Sequence, residues 1–201
     1  DAARTYSIPE SLFNDIIDGV EMDLETRRYE TFDDLRFYCS KVASAVGLIS
    51  IRVFGYTDPK AEEYAIDLGI AMQLTNIMRD IREDADRDRV YLPQEELRRF
   101  GYTEQELMAG VINDEYLRLM QFQTERARKY FESGAKLLPL LQRRSRACAA
   151  GLHHLYSSLL DRIEKRGFDV FSGRVSIPAW QKLRLTVTLW AASLIPTRQS
   201  N

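Results

Sequence analysis

The sequence predicts an all-α fold, a single helical bundle running through residues 1–201. Three observations carry this. Apolar residues recur at three- and four-residue spacing through every long segment, and none alternates for long enough to make a strand. Ten Gly and six Pro in 201 positions are too few for a turn-rich β fold. Helix-start signals also recur along the chain at intervals that suit helices joined by short loops. With 45% hydrophobic and 29% charged residues the chain can bury a sizeable core, and no repeat, low-complexity run or Gly/Ser linker divides it.

Ser7 and Pro9 read as a cap and first turn, followed by Leu12, Phe13, Ile16, Ile17 and Val20 at helical spacing, which predicts a first helix to about Leu24. Thr31 with Asp34 is a capping box. It opens a second helix with an apolar face through Leu35, Tyr38, Val42, Ala45, Val46, Ile49 and Val53, ended by Gly55. Asp58 and Pro59 start a third, carried by Ala61, Tyr64, Ala65, Leu68, Ala71, Met72 and Ile77. Pro93 and the Thr103–Glu106 box mark further starts, and 113–138, 143–166 and 178–194 show helical periodicity.

A net charge of −2, from 28 basic and 30 acidic residues, gives no whole-chain attraction to nucleic acid. The one basic cluster, Arg143, Arg144 and Arg146, lacks interleaved aromatics and reads as a solvated helix start. Cys39 and Cys148 each sit in an apolar helical context, as buried free thiols of a reducing compartment do. With no basic-then-apolar leader and no run of 18 apolar residues, a cytoplasmic location is expected. Val187–Ile195 is apolar but too short to span a bilayer, and is suited to resting on one or to packing against the bundle.

The chemistry concentrates in the third helix, where Asn76, Asp80 and Asp84 stand four apart. Steps of four keep them on one side over about 12 Å. A carboxamide and two carboxylates form an all-oxygen ladder, the donor set that hard Mg²⁺ prefers, with Mn²⁺ as an alternative. Gln73 lies one turn earlier on the same side, and Arg79 and Arg82 lie close enough to meet phosphate oxygens. An isolated ladder of this kind is more often a solvated face with i,i+4 pairs such as Arg79–Glu83. Here the preceding apolar turns, Ile70 to Leu74, place the helix in the interior. Asp84, Asp86, Asp88 and Glu95 imitate a calcium loop, but Arg89 stands where its sharp turn needs Gly and Pro93 falls inside it. His153 and His154 are adjacent and so face different sides of a helix, which makes them structural.

The run from Gly69 through Gln73, Asn76, Arg79, Asp80 and Asp84 to Arg89, Tyr91 and Pro93 resembles the second aspartate-rich signature of squalene and phytoene synthases. Tyr38 to Gly47, Asp18 to Leu24, and a weaker block from Tyr156 through Gly167–Phe171 to Arg174 are similar to further stretches of that family. The resemblance implies a class I isoprenoid synthase bundle. It also implies that Asn76, Asp80 and Asp84 hold magnesium against a substrate diphosphate, with Asp80 and Asp84 catalytic through it. Gln73 would line the site, and Arg79, Arg89 and Tyr91 would bind or orient the phosphates. Tyr38 would stand in the reaction cavity as a catalytic group, with Val42 and Ala43 lining the prenyl channel.

The family's earlier aspartate-rich motif has no counterpart, because Asp15 and Asp18 are three apart and belong to a later block. The resemblance therefore implies the C-terminal two-thirds of the family domain, with an N-terminal segment needed to complete the site. The implied activity joins two prenyl diphosphates head to head, through a cyclopropylcarbinyl diphosphate. Gly167–Arg174 and Arg52–Tyr56 tilt the substrate towards farnesyl diphosphate, giving presqualene diphosphate or, with NADPH, squalene. Phytoene synthesis from geranylgeranyl diphosphate is the alternative. An inactive diphosphate-binding scaffold is the reading from another class.

Overall fold

The computed structural model describes residues 2–181 together with Arg184 and Val187. The helices are α1 (Ala2–Thr5), α2 (Glu10–Glu25), α3 (Phe32–Cys39), a π-helical segment (Ser40–Ser44), α4 (Ala45–Phe54), α5 (Lys60–Ala85), α6 (Gln94–Phe100), α7 (Glu104–Ala109), α8 (Asp114–Ala135), a 3₁₀ turn (Leu138–Leu140) and α9 (Arg143–Lys165). Among the described residues no strand forms, and extended pairing is limited to single bridges between Arg28 and Val90 and between Tyr56 and Leu141.

The organising element is α5. Ile70, Ala71, Leu74, Thr75, Ile77 and Met78 are all buried, so neighbours cover the helix on several sides, as its apolar middle turns require. It packs against α8, α4, the π segment and α9. The starts of α3 and α7 are set locally. Thr31 and Thr103 each accept from the backbone N–H three residues on, while Asp34 and Glu106 reach back to the cap residue's own N–H.

Four expectations need adjustment. Ser7 does not cap α2, which begins after Pro9 with no side-chain bond at the cap. Ser7 instead has φ +49° in the turn that closes the short α1, where Ile8 N–H donates to the Ala3 carbonyl. The face of α2 through Phe13, Ile17, Val20 and Leu24 is exposed, Leu24 to 75%. Cys148 is exposed, unlike the buried Cys39, and both are free thiols. The helix expected over 178–194 and the apolar stretch Val187–Ile195 lie mostly outside the described residues.

The second predicted helix is also not one uniform helix. At Ser40–Ser44 it widens to π geometry, the Ala45 N–H reaching back to the Ser40 carbonyl. Tertiary contact accounts for this. Gly69 of α5 comes so close that a Cβ there would lie 2.9 Å from the Ser44 backbone, and Ser44 Oγ donates to the Ile66 carbonyl at 3.0 Å. By length and composition Phe32–Phe54 would also pass as a bilayer span, but it packs against α2 and α5.

Candidate functional site

The ladder lies along the last three turns of α5. Asn76 is its innermost rung. Its Nδ2 donates weakly to Gln73 Oε1 at 3.4 Å, while its Oδ1 is buried with no hydrogen-bond partner. An orphaned carbonyl oxygen inside a protein costs about 1–3 kcal/mol, so Asn76 Oδ1 is a costly acceptor with no donor among the described residues.

Asp80 is engaged instead. Arg79 Nε donates to its Oδ1 at 2.7 Å and the guanidinium's second arm pairs with Oδ2. Arg174, 94 positions away, reaches Oδ1 at 3.2 Å and Glu83 at 3.4 Å. Arg79 therefore pairs with Asp80 rather than with Glu83, and Arg82 turns outward to Asp86. The Asp84 carboxylate has no hydrogen bond or ion pair among the described residues, while its backbone carbonyl accepts from the Arg87 and Arg89 N–H groups. Burial, reinforced by the neighbouring Asp80 charge, pushes its carboxyl up to about 6. The three rungs thus present an orphan amide oxygen, a carboxylate balanced by two guanidinia, and a half-buried carboxylate with no direct side-chain partner.

Beside the ladder, Asp23 of α2 gathers three of the expected site residues. Tyr38 and Tyr91 both donate their hydroxyls to its Oδ1 at 2.8 Å, and Arg89 donates to its backbone carbonyl at 2.7 Å. Tyr29, Tyr38 and Tyr91 form a ring cluster with centroids 5.3–5.7 Å apart. Burial, then the Tyr91 and Asp23 charges, hold the Tyr38 phenol far above its ordinary value. Burial and the bond to Asp23 push Tyr91 up to about 12. Tyr29 Oη is buried without a partner.

An apolar cavity of about 230 Å³ opens next to the ladder. Val42, Ala43, Val46 and Gly47 form one wall, Gly69 and Met72 another, and Gln73 and Asn76 supply the polar end. The π segment contributes Val42 and Ala43 to the wall, and single π turns inside α-helices recur at functional sites. Tyr38 is 3% exposed and is not among the lining residues, so its hydroxyl belongs to the Asp23 cluster. The structure thus gathers Gln73, Asn76, Val42 and Ala43 at the cavity, Arg79 and Asp80 on the ladder, and Tyr38, Arg89 and Tyr91 around Asp23.

Two residues given no role in the sequence reading belong here. Arg174 is met only through the fold, since no spacing rule links it to Asp80. Asp23 stood in plain view inside the Asp18–Leu24 block, but nothing in the sequence says which hydroxyls it would receive. Among the described residues no three His, Cys, Asp or Glu side chains converge as a metal site.

Comparison with known proteins gives the family. The squalene/phytoene synthase model matches residues 1–181. The 15-cis-phytoene synthase of Synechococcus elongatus is 43% identical over 208 residues, covering 97% of this chain and 68% of that protein. Phytoene synthase 1 of Arabidopsis thaliana is 38% identical over 207 residues, covering 100% and 49%. A dehydrosqualene synthase crystallised with ligand superposes with a TM-score of 0.82 at 28% identity, covering 90% of this chain and 64% of the other. The squalene synthase of Alicyclobacillus acidocaldarius gives 0.80 at 27%, covering 83% and 64%. The chain spans roughly half to two thirds of the length of these relatives. Sequence and fold agree, and the chain belongs to the squalene/phytoene synthase family.

Proposed function

We propose that this chain forms the larger part of a transferase that condenses two prenyl diphosphates head to head. The observation that carries the reading is the unpartnered Asn76 Oδ1 in line with Asp80 and Asp84, at the polar end of an apolar cavity. Oxygen donors alone, one neutral and two acidic, fit a hard divalent cation such as Mg²⁺, so Asn76, Asp80 and Asp84 are the residues that would hold it. When bound, such a cation neutralises the diphosphate charge and lets it leave.

The chain's own residues supply the rest. Arg79 and Arg174, paired on Asp80, stand where they can turn to phosphate oxygens the cation does not reach. The walls of Val42, Ala43, Val46 and Met72 keep water from the allylic cation left behind. The phytoene synthase relatives favour geranylgeranyl diphosphate over farnesyl diphosphate as substrate, and a reaction that stops at phytoene gives NADPH no part. Presqualene diphosphate or squalene formation remains the second reading of the same site, supported by the squalene-synthase-like structural neighbours.

The test uses Asp80→Asn and Asp84→Asn in the full-length protein. Each is expected to lower turnover by about 10²-fold or more, and unchanged turnover in both sinks the assignment. Stability supplies the control. A carboxyl raised to about 6 in the fold binds its proton more tightly there than in the unfolded chain, so its contribution is fully present below the ordinary carboxylate range and is lost as pH rises through 6. Metal-free Asp84→Asn is therefore expected to melt at or above wild type at neutral pH, by about 1 kcal/mol after solvent screening, with the gain vanishing in acid. A melt well below wild type at neutral pH would place Asp84 in the scaffold.

A further inference from the structure

The segment Arg52–Tyr56 lies away from the ladder, and the chemistry described above does not use it. Of this segment Phe54 lines the apolar cavity. Helices α4 and α5 form an antiparallel pair joined by residues 55–59, and both line the cavity. Val42 and Ala43 therefore lie towards Gln73 and Asn76, while Ser50 and Phe54 lie towards Ala65. Ala65 is about 16 Å back along α5 from Asn76 at 1.5 Å per residue.

Past Phe54 the backbone is paired. Gln142 N–H donates to the Gly55 carbonyl at 2.9 Å and Thr57 N–H to the Leu140 carbonyl at 3.0 Å. Ser145 Oγ donates to the Phe54 carbonyl at 2.9 Å. Arg52 and Tyr56 both donate to Glu62 Oε1, at 2.8 and 2.5 Å, tying the end of α4 to the start of α5. Gly55 makes the turn possible. Its φ is +73°, and a Cβ there would fall 2.4 Å from the Gln142 side chain. Phe54 and Leu137, both lining the cavity, thus stand next to main-chain bonds between two separate segments.

We propose that these two residues form the cavity's floor and determine specificity: Phe54 and Leu137, backed by the clamp between 55–57 and 140–142, set the longest prenyl chain the cavity accepts. The inference rests on the reading of the cavity as a prenyl channel. A tail that reaches a wall held by backbone hydrogen bonds cannot push it aside as it would a mobile side chain, so acceptance falls off at a defined length. Ser50, one turn above Phe54 on the same wall, is the position at which added bulk would raise the floor.

The experiment measures affinities of the full-length protein, with Mg²⁺, for thio-linked non-hydrolysable diphosphates carrying farnesyl, geranylgeranyl and geranylfarnesyl chains. Phe54→Ala is expected to favour the longer of two neighbouring lengths by tenfold or more relative to wild type. Ser50→Phe is expected to move the limit the opposite way, and it decides the matter alone if Phe54→Ala melts well below wild type. A length preference unmoved by Ser50→Phe, or by both variants, overturns the floor while leaving the channel reading intact. Failure of every analogue to bind wild type overturns the channel reading and the floor with it.

Discussion

At the scale of single residues, Tyr38 and Tyr29 make a controlled pair. Both are 3% exposed and their rings are in contact, but Tyr38 donates to Asp23 and Tyr29 has no partner for its hydroxyl. Removing a satisfied hydroxyl leaves Asp23 short of one donor, while removing an orphan relieves a desolvation cost. Tyr29→Phe is therefore expected to be neutral or stabilising by about 1 kcal/mol, and Tyr38→Phe to cost about 1–2 kcal/mol. If the Asp23 cluster positions groups for the chemistry, Tyr38→Phe also lowers turnover in the full-length protein by about 10²-fold, and Tyr29→Phe does not. Thermal melts paired with product formation separate the two. A Tyr38→Phe variant with unchanged turnover would return that tyrosine to the core. The residue types on the ladder were legible from spacing alone, because every fourth residue of a helix shares a side. Which rung is free and which is paired was not, because Arg174 arrives from a distant loop.

At the scale of elements, the close approach of α5 to the π segment shapes the cavity wall. An Ala at Gly69 would press its Cβ to within 2.9 Å of the Ser44 backbone, where backbone rather than a flexible side chain must give way. Gly69→Ala is expected to destabilise by about 1–3 kcal/mol, as overpacking does, and to shift Val42 and Ala43 at the channel wall. Denaturant unfolding measures the first effect, and the affinity for a prenyl thiodiphosphate reads the second. Stability within about 0.5 kcal/mol of wild type would show that the interface relaxes freely. The capping boxes at Thr31 and Thr103 were legible because the partners lie three residues apart. The π segment was not, since no Pro or Gly stands in Ser40–Ser44 and its cause lies on another helix.

At the scale of the molecule, α2 carries an apolar stripe that stands exposed. Phe13, Ile17, Val20 and Leu24 are 40%, 55%, 55% and 75% exposed, and they follow one another along a single helix face. Such a stripe drives self-association. The 201-residue chain by itself is expected to show concentration-dependent oligomers by light scattering, relieved by Phe13→Ser with Ile17→Ser, and little condensation of either substrate. A monodisperse monomer would show the stripe to be inert, and robust product formation would show that one ladder is enough for turnover.

The sequence by itself determined the helical class, most helix starts, the family and the Asn76–Asp80–Asp84 ladder. Each of these is written in local periodicity, in a cap three residues long, or in a contiguous motif. Only the tertiary structure decided that Asp23 collects Tyr38, Tyr91 and Arg89, that Arg174 pairs with Asp80, that the face of α2 is exposed, and that residues 55–57 pair with 140–142. Those contacts join residues tens of positions apart, and their energies depend on which surfaces meet when the helices pack, a choice that no local pattern encodes.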